Sequence, residues 1–296
     1  IVMANKEIQT VREVWLSRPF GETLSQWRVA YDTMSELFPS APDVEVTKIT
    51  INGLSAEWYS APDVDPNRVT LFLHGGGYGL GSLTSHRHFA TEVGRSAGTK
   101  VLAIDYRLAP EAPFPAAVDD ALAAYRYLLD AGIDPRSISI MGDSAGGGLA
   151  VALLLAVRDA GLPQPSCGVC ISPWADMALE GGTMTTKAAE DQMAPKPMLM
   201  LLRDSYIGDA GERHPLVSPI YADLKGIAPL LILVGSAETL LDDALRLAGA
   251  AGAAEIPVHL EIWPEMIHVW PLFHQILAEG RQALVRMGEY IRQRSA

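Results

Sequence analysis

The stretch Ser137-Ile138-Ser139-Ile140-Met141-Gly142-Asp143-Ser144-Ala145-Gly146-Gly147-Gly148-Leu149-Ala150-Val151 decides the fold. A short apolar run enters a Gly-Asp-Ser-Ala-Gly turn, and an alanine- and leucine-rich run of helical character leaves it at once. A serine on so tight a strand-to-helix turn is lifted out of the fold, its hydroxyl presented at the strand end. The turn crowds the backbone, and Gly142 and Gly146 on either side carry no Cβ to add to the crowding. The helix behind Ser144 also directs unpaired N–H groups at the same place. The plain alternative is a glycine-rich junction with an incidental serine. The strand before it and the helix after it favour a nucleophile turn.

Upstream, the apolar strand Val69-Thr70-Leu71-Phe72-Leu73 ends on His74-Gly75-Gly76-Gly77-Tyr78. Consecutive glycines let a backbone lie close against a ligand with its N–H groups turned inward. Such donors are most effective where a reaction builds negative charge on a carbonyl oxygen, as ester cleavage does. Alone this is also the composition of a flexible loop, but beside a nucleophile turn it reads as an oxyanion loop. Strand Val101-Leu102-Ala103-Ile104 runs into Asp105-Tyr106-Arg107-Leu108-Ala109-Pro110-Glu111. These polar residues read as an ion-pair and hydrogen-bond network beneath that loop, not as catalytic groups.

A serine hydroxyl is a weak nucleophile at neutral pH and needs a base, which in turn needs a carboxylate to fix its tautomer. The chain order expected for this turn is serine, then acid, then histidine. Of seven histidines, His74 belongs to the glycine loop, and His86 and His88 precede the serine. His214 lies in a loop-rich excursion, His259 inside the last strand, and His274 on the expected final helix from about 271 to 294. His268 alone sits in a loop just after the last strand, which makes it the candidate base. The loop after strand Pro229–Val234 offers Glu238, Asp242 and Asp243 as the acid. Glu238, closest to the strand end, is favoured, while Asp242 can cap or buttress the next helix. Asp143 points away from the imidazole side and reads as structural.

Further out, residues 4–17 and 23–38 read as amphipathic helices, with Pro19 and Gly21 between them. Asn52-Gly53 between two alternating runs is a hairpin signal. The apolar runs from Val44 to Ile262 amount to eight strands. Residues 175–220 are too long a loop for a plain connection and read as an excursion over the site. Met193, Met198 and Met200 read as packing inside it, with an adaptable acyl pocket as the alternative. Cys167 and Cys170 lie three apart on a strand, on opposite faces, so they read as buried thiols and neither a disulfide nor a metal site.

With 49% hydrophobic and 20% charged residues over 296 positions, the composition fits a globular chain with a large core. A net charge of −12 argues against nucleic acid or an anionic membrane as partner. No apolar run is long enough for a membrane span, and the first residues carry no signal-peptide pattern, so the cytoplasm is the default setting.

Together, His74-Gly75-Gly76-Gly77, Tyr106-Arg107-Leu108-Ala109-Pro110-Glu111 and Gly142-Asp143-Ser144-Ala145-Gly146-Gly147 resemble the bacterial hormone-sensitive-lipase family of α/β-hydrolases. The resemblance spans about residues 44–296. It implies an α/β-hydrolase fold: a mostly parallel eight-stranded sheet flanked by helices. It implies a helical cap built from residues 1–43 and an insertion at about 180–220. It implies a serine carboxylesterase for short-chain acyl esters, with no cofactor and no metal, and is compatible with a homodimer. Under it the oxyanion donors are the N–H groups of Gly76, Gly77 and Ala145. In one respect the chain departs from the family: most members carry an Asp-Pro-Leu-like acid motif, and here Glu238-Thr239-Leu240 stands in its place. The rival readings are an amidase or other acyl hydrolase on the same fold, or a non-catalytic small-ligand receptor. A nucleotide site fails because the glycines match neither G-x-G-x-x-G nor a P-loop.

Overall fold

Along the central strands, alternate side chains enter two separate apolar clusters. Val69, Leu71 and Leu73 join one with Ile138, Ile140, Leu230 and Ile232. Phe72, Met141, Val169, Leu231 and Leu233 join the other. A sheet buried on both faces needs such near-continuous apolar strands, and it needs helices on both sides. A computed structural model describes residues 6–17 and 21–295 of the chain. Ala4, Asn5 and Pro19, which belong to the sequence reading of the first helix and its end, lie outside the described residues.

The helices are α1 (Lys6–Leu16), α2 (Leu24–Asp32), α3 (Met34–Leu37), α4 (Leu83–Ala97), α5 (Ala116–Asp130), α6 (Ala145–Asp159), α7 (Thr183–Thr186), α8 (Lys196–Tyr206), α9 (Leu241–Ala253) and α10 (Ala278–Arg294). The strands are β1 (Glu45–Ile51), β2 (Leu54–Ser60), β3 (Asp65–Leu73), β4 (Thr99–Ile104), β5 (Ile138–Asp143), β6 (Cys167–Ile171), β7 (Leu230–Gly235) and β8 (Val258–Trp263). They form one eight-stranded sheet in the order β1-β2-β4-β3-β5-β6-β7-β8. The β1–β2 and β2–β4 pairs are antiparallel, and β3 onward is parallel, which makes this the α/β-hydrolase fold. Helices α5, α6 and α9 cover one face, and α1, α4 and α10 the other.

The order of the strands reverses at β3, with β4 on one side and β5 on the other. At such a switch point the loops leaving two neighbouring parallel strands diverge and leave a crevice. Here the glycine loop leaves β3 and the serine turn leaves β5, so both open on the same crevice.

Local chemistry explains most of the boundaries. Asn52 and Gly53 both have positive φ, 52° and 88°, as a two-residue hairpin turn requires. Cys167 and Cys170 lie in opposite clusters, and burial pushes both thiols up to about 12. Several elements differ from the sequence reading: β3 starts at Asp65, ahead of Val69, and α8 is a helix inside the excursion. The second helix divides, because α2 ends at Asp32 and α3 restarts at Met34. The last helix starts only at Ala278, since Trp270–Phe273 forms a 3-10 turn, and His274 therefore lies between the two. Helix α4 was not read at all. Its inward face carries Ser85, His86, His88 and Thr91 among the apolar residues, which dilutes the apolar repeat. Its ends carried the signal instead: a reciprocal Ser82–Ser85 capping box and Gly98 at φ 68°.

The serine turn is the tightest junction. A Cβ on Gly146 would overlap the carbonyl oxygen of Leu73, and one on Gly142 would overlap that of Gly146. Helix α6 therefore starts in backbone contact with the end of β3. Gly146→Ala should lower the stability measured by urea unfolding by about 1–3 kcal/mol, the usual cost of overpacking. Gly249→Ala in α9, where an added Cβ meets nothing within 4 Å, should be neutral or stabilising in the same assay.

Candidate active site

Ser144 follows β5 and precedes α6 with φ 51° and ψ −120°, a left-handed region that a non-glycine residue rarely occupies. Its backbone is held on both sides: its N–H donates to Ile171 O at 2.8 Å, and its carbonyl accepts from Trp174 N at 2.9 Å. The hydroxyl projects towards the loop after β8. There His268 Nε2 lies 2.9 Å from Ser144 Oγ. On the far side of the ring, Nδ1 lies 2.9 Å from Glu238 Oε2, in the loop after β7. Ser144, His268 and Glu238 thus form one hydrogen-bonded line across three strand ends, with only 8%, 5% and 0% exposure.

The line fixes the tautomer. A carboxylate accepts only, so Nδ1 carries the proton and Nε2 is left to accept from the serine hydroxyl. Burial alone would disfavour the imidazolium. The hydrogen bond and charge of Glu238 outweigh it and hold His268 above the usual histidine range. Glu238 Oε1 accepts from Gly235 N at 2.6 Å and from Ser172 Oγ at 2.7 Å. A fully buried carboxylate is tolerable only with its lone pairs so engaged.

The other candidate carboxylates are turned elsewhere. Asp242 Oδ2 accepts from Thr183 N at 3.1 Å and so caps α7. Asp243 Oδ2 accepts from Ala175 N and Asp176 N at 2.9 and 2.8 Å, and burial pushes its carboxyl up to about 8. Asp143 lies beneath the glycine loop, accepting from Gly75 N at 3.1 Å, with His86 Nε2 3.4 Å away. Among the described residues, His268 is the only histidine hydrogen-bonded to Ser144.

Opposite the serine, Gly76 and Gly77 take φ 113° and 62°. No hydrogen bond among the described residues uses their N–H groups. Ala145 opens α6, so its N–H has no acceptor within the helix. Of the predicted polar network, Tyr106 holds the loop, its Oη donating to His74 O at 2.8 Å, whereas Arg107 pairs with Asp120 of α5 at 2.8 Å. Arg28 of α2 was not anticipated. It donates to the carbonyls of Gly79 and Ala109, each at 2.8 Å, and pairs with Glu111, which ties α2 to the end of the loop.

Ser144 and His268 face a cavity that Trp15, Tyr31, Met193, Met198 and Leu202 help to line. Met200, on the outer side of α8, is 41% exposed instead. Asp191 was also not anticipated from sequence. Its Oδ1 accepts from Met193 N and Ala194 N at 2.9 and 3.0 Å, and its Oδ2 from Thr239 N at 2.8 Å. Among the described residues there is no cluster of three or more metal-ligating side chains, and no helix is long and apolar enough to cross a membrane.

Comparison with known proteins identifies the family of the chain. The family described as alpha/beta hydrolase fold matches residues 70–272. An acetyl-hydrolase of Streptomyces hygroscopicus is 47% identical, over 98% of this chain and 97% of its own. An esterase of Acinetobacter venetianus is 33% identical, over 89% of this chain and 87% of its own. The crystal structure of an esterase from the bacterial hormone-sensitive lipase family superposes with a TM-score of 0.97 at 45% identity, covering 100% of both chains. With these relatives along its whole length and this arrangement of strand-end loops, the chain belongs to the bacterial hormone-sensitive-lipase family of esterases, on the α/β-hydrolase fold.

Proposed function

We propose that this esterase cleaves esters of short-chain acids with Ser144 as nucleophile, His268 as general base and acid, and Glu238 as the carboxylate behind it. The observation that carries this reading is the unbroken Ser144–His268–Glu238 hydrogen-bond line, facing the N–H groups of Gly76 and Gly77, which no other described residue engages. Ser144 Oγ attacks the acyl carbon while His268 Nε2 takes its proton. The carbonyl oxygen becomes an oxyanion, which the N–H groups of Gly76, Gly77 and Ala145 stabilise. Collapse expels the alcohol, to which His268 returns the proton, and leaves an acyl-serine. Water then attacks that ester, giving its proton to His268, and the second collapse releases the acid as the proton returns to Ser144. Glu238 holds the ring and offsets the imidazolium charge throughout.

The cap reading rests on α1, α2 and α8, which bring Trp15, Tyr31, Met198 and Leu202 over the serine. A Cβ on Gly77 would meet the Leu202 side chain, so α8 packs against the oxyanion loop. So close a roof supports short acyl groups, as does the likeness to a protein named an acetyl-hydrolase. Glu238 is preferred to Asp242 because Asp242 is spent on Thr183.

Ser144→Ala should lower kcat for p-nitrophenyl butyrate by at least about ten-thousandfold, and a retained rate would remove the serine from the mechanism. Rates across p-nitrophenyl esters should peak at short acyl chains and fall as the chain lengthens; a maximum at long chains would contradict the roofed pocket. Glu238→Gln should cost roughly a thousandfold or more in kcat, and Asp242→Asn less than about tenfold. The pH profile of kcat/KM gives a second readout, because the base works only when neutral. Activity is lost as pH falls through the raised His268 value, so the acid limb should lie above about 6.5. Removing the Glu238 charge takes away what raises it, so Glu238→Gln should move that limb to lower pH.

A further inference from the structure

Ser172 stands at the end of β6, fully buried, with φ 45°. Its N–H donates to Leu233 O at 2.7 Å, which ties the residue to β7 just before the Glu238 loop. Its hydroxyl meets two partners. Val269 N lies 3.1 Å away and can only donate, so it occupies a lone pair of Oγ. The hydroxyl proton is thereby left for Glu238 Oε1 at 2.7 Å. From this arrangement we infer that Ser172 is a positioning residue that acts through Glu238, holding the carboxylate so that its second oxygen faces His268. This inference rests on the Ser144–His268–Glu238 mechanism proposed above.

The need for such a hold follows from the acid itself. Glutamate has one more rotatable bond than aspartate, and each free torsion spreads the carboxylate over more orientations. Gly235 N and Ser172 Oγ both donate to Oε1, so rotation that would turn Oε2 away from the ring breaks two bonds at once. The Val269 N–H aims the hydroxyl, and it comes from the residue next to His268, so the base loop itself directs the donor that fixes the acid.

The test uses Ser172→Gly and Ser172→Ala, alone and combined with Glu238→Ala, assayed on p-nitrophenyl acetate with thermal melts alongside. Glycine adopts φ 45° freely and alanine does not, so the pair separates the hydroxyl from the backbone conformation. Both single variants should lose about tenfold to a hundredfold in kcat, the range of one hydrogen bond to a charged group, with KM within about twofold. In the Glu238→Ala background, Ser172→Gly should cost less than about threefold more, since the group through which it acts is gone. Full multiplication of the two losses would overturn the inference, as would a loss in the alanine variant alone. Should Glu238→Ala be impaired while both Ser172 variants keep the parental kcat, this inference fails and the triad stands. Should Glu238→Ala itself keep the parental kcat, the triad reading beneath it fails.

Discussion

The backbone of Gly146 lies against the carbonyl of Leu73, and the rest of the site depends on that contact. It lets α6 begin beside the end of β3, one strand over from its own. The Ser144 hydroxyl and the glycine N–H groups then stand on opposite sides of one crevice, with no long loop needed to bring them together. The unusual backbone of Ser144 is the local cost, of the order of 1–3 kcal/mol for such a conformation. It is offset by the hydrogen bonds to Ile171 and Trp174 and by two fully packed sheet faces.

The second constraint is electrostatic. Glu238 is fully buried, and a buried charge is tolerated only where donors surround it. Three groups from three strand-end segments do so: Gly235 N, Ser172 Oγ and His268 Nδ1. The same need shapes the network under the glycine loop, where Asp143 is engaged by Gly75 and faced by His86. Two buried carboxylates near one serine thus have separate surroundings, and only one of them is hydrogen-bonded to His268.

Much of this arrangement was legible in the sequence. Alternating or continuous apolar runs marked the strands, and Asn52-Gly53 marked the hairpin, because both signals are local. The candidate site residues could be named from loop position after a strand, since in a parallel sheet all such loops gather at one edge. What stayed hidden depends on long-range partners. Ser172 looks like any serine after a strand, and its contact with Glu238 spans 66 positions. Asp191 and Arg28 sit in segments whose packing no local pattern records. Helix α4 escaped notice because histidines and serines occupy its buried face, where periodicity expects carbon.

Asp191 ties Met193 and Ala194, on the wall of the cavity, to Thr239, the neighbour of Glu238. A larger group that pushes Met193 outward strains those bonds and, through them, the Glu238 loop. The dimension of the pocket and the alignment of the Glu238–His268 pair are therefore mechanically linked through Asp191. A change in the wall that admits a bulkier group is thus transmitted towards the imidazole of His268.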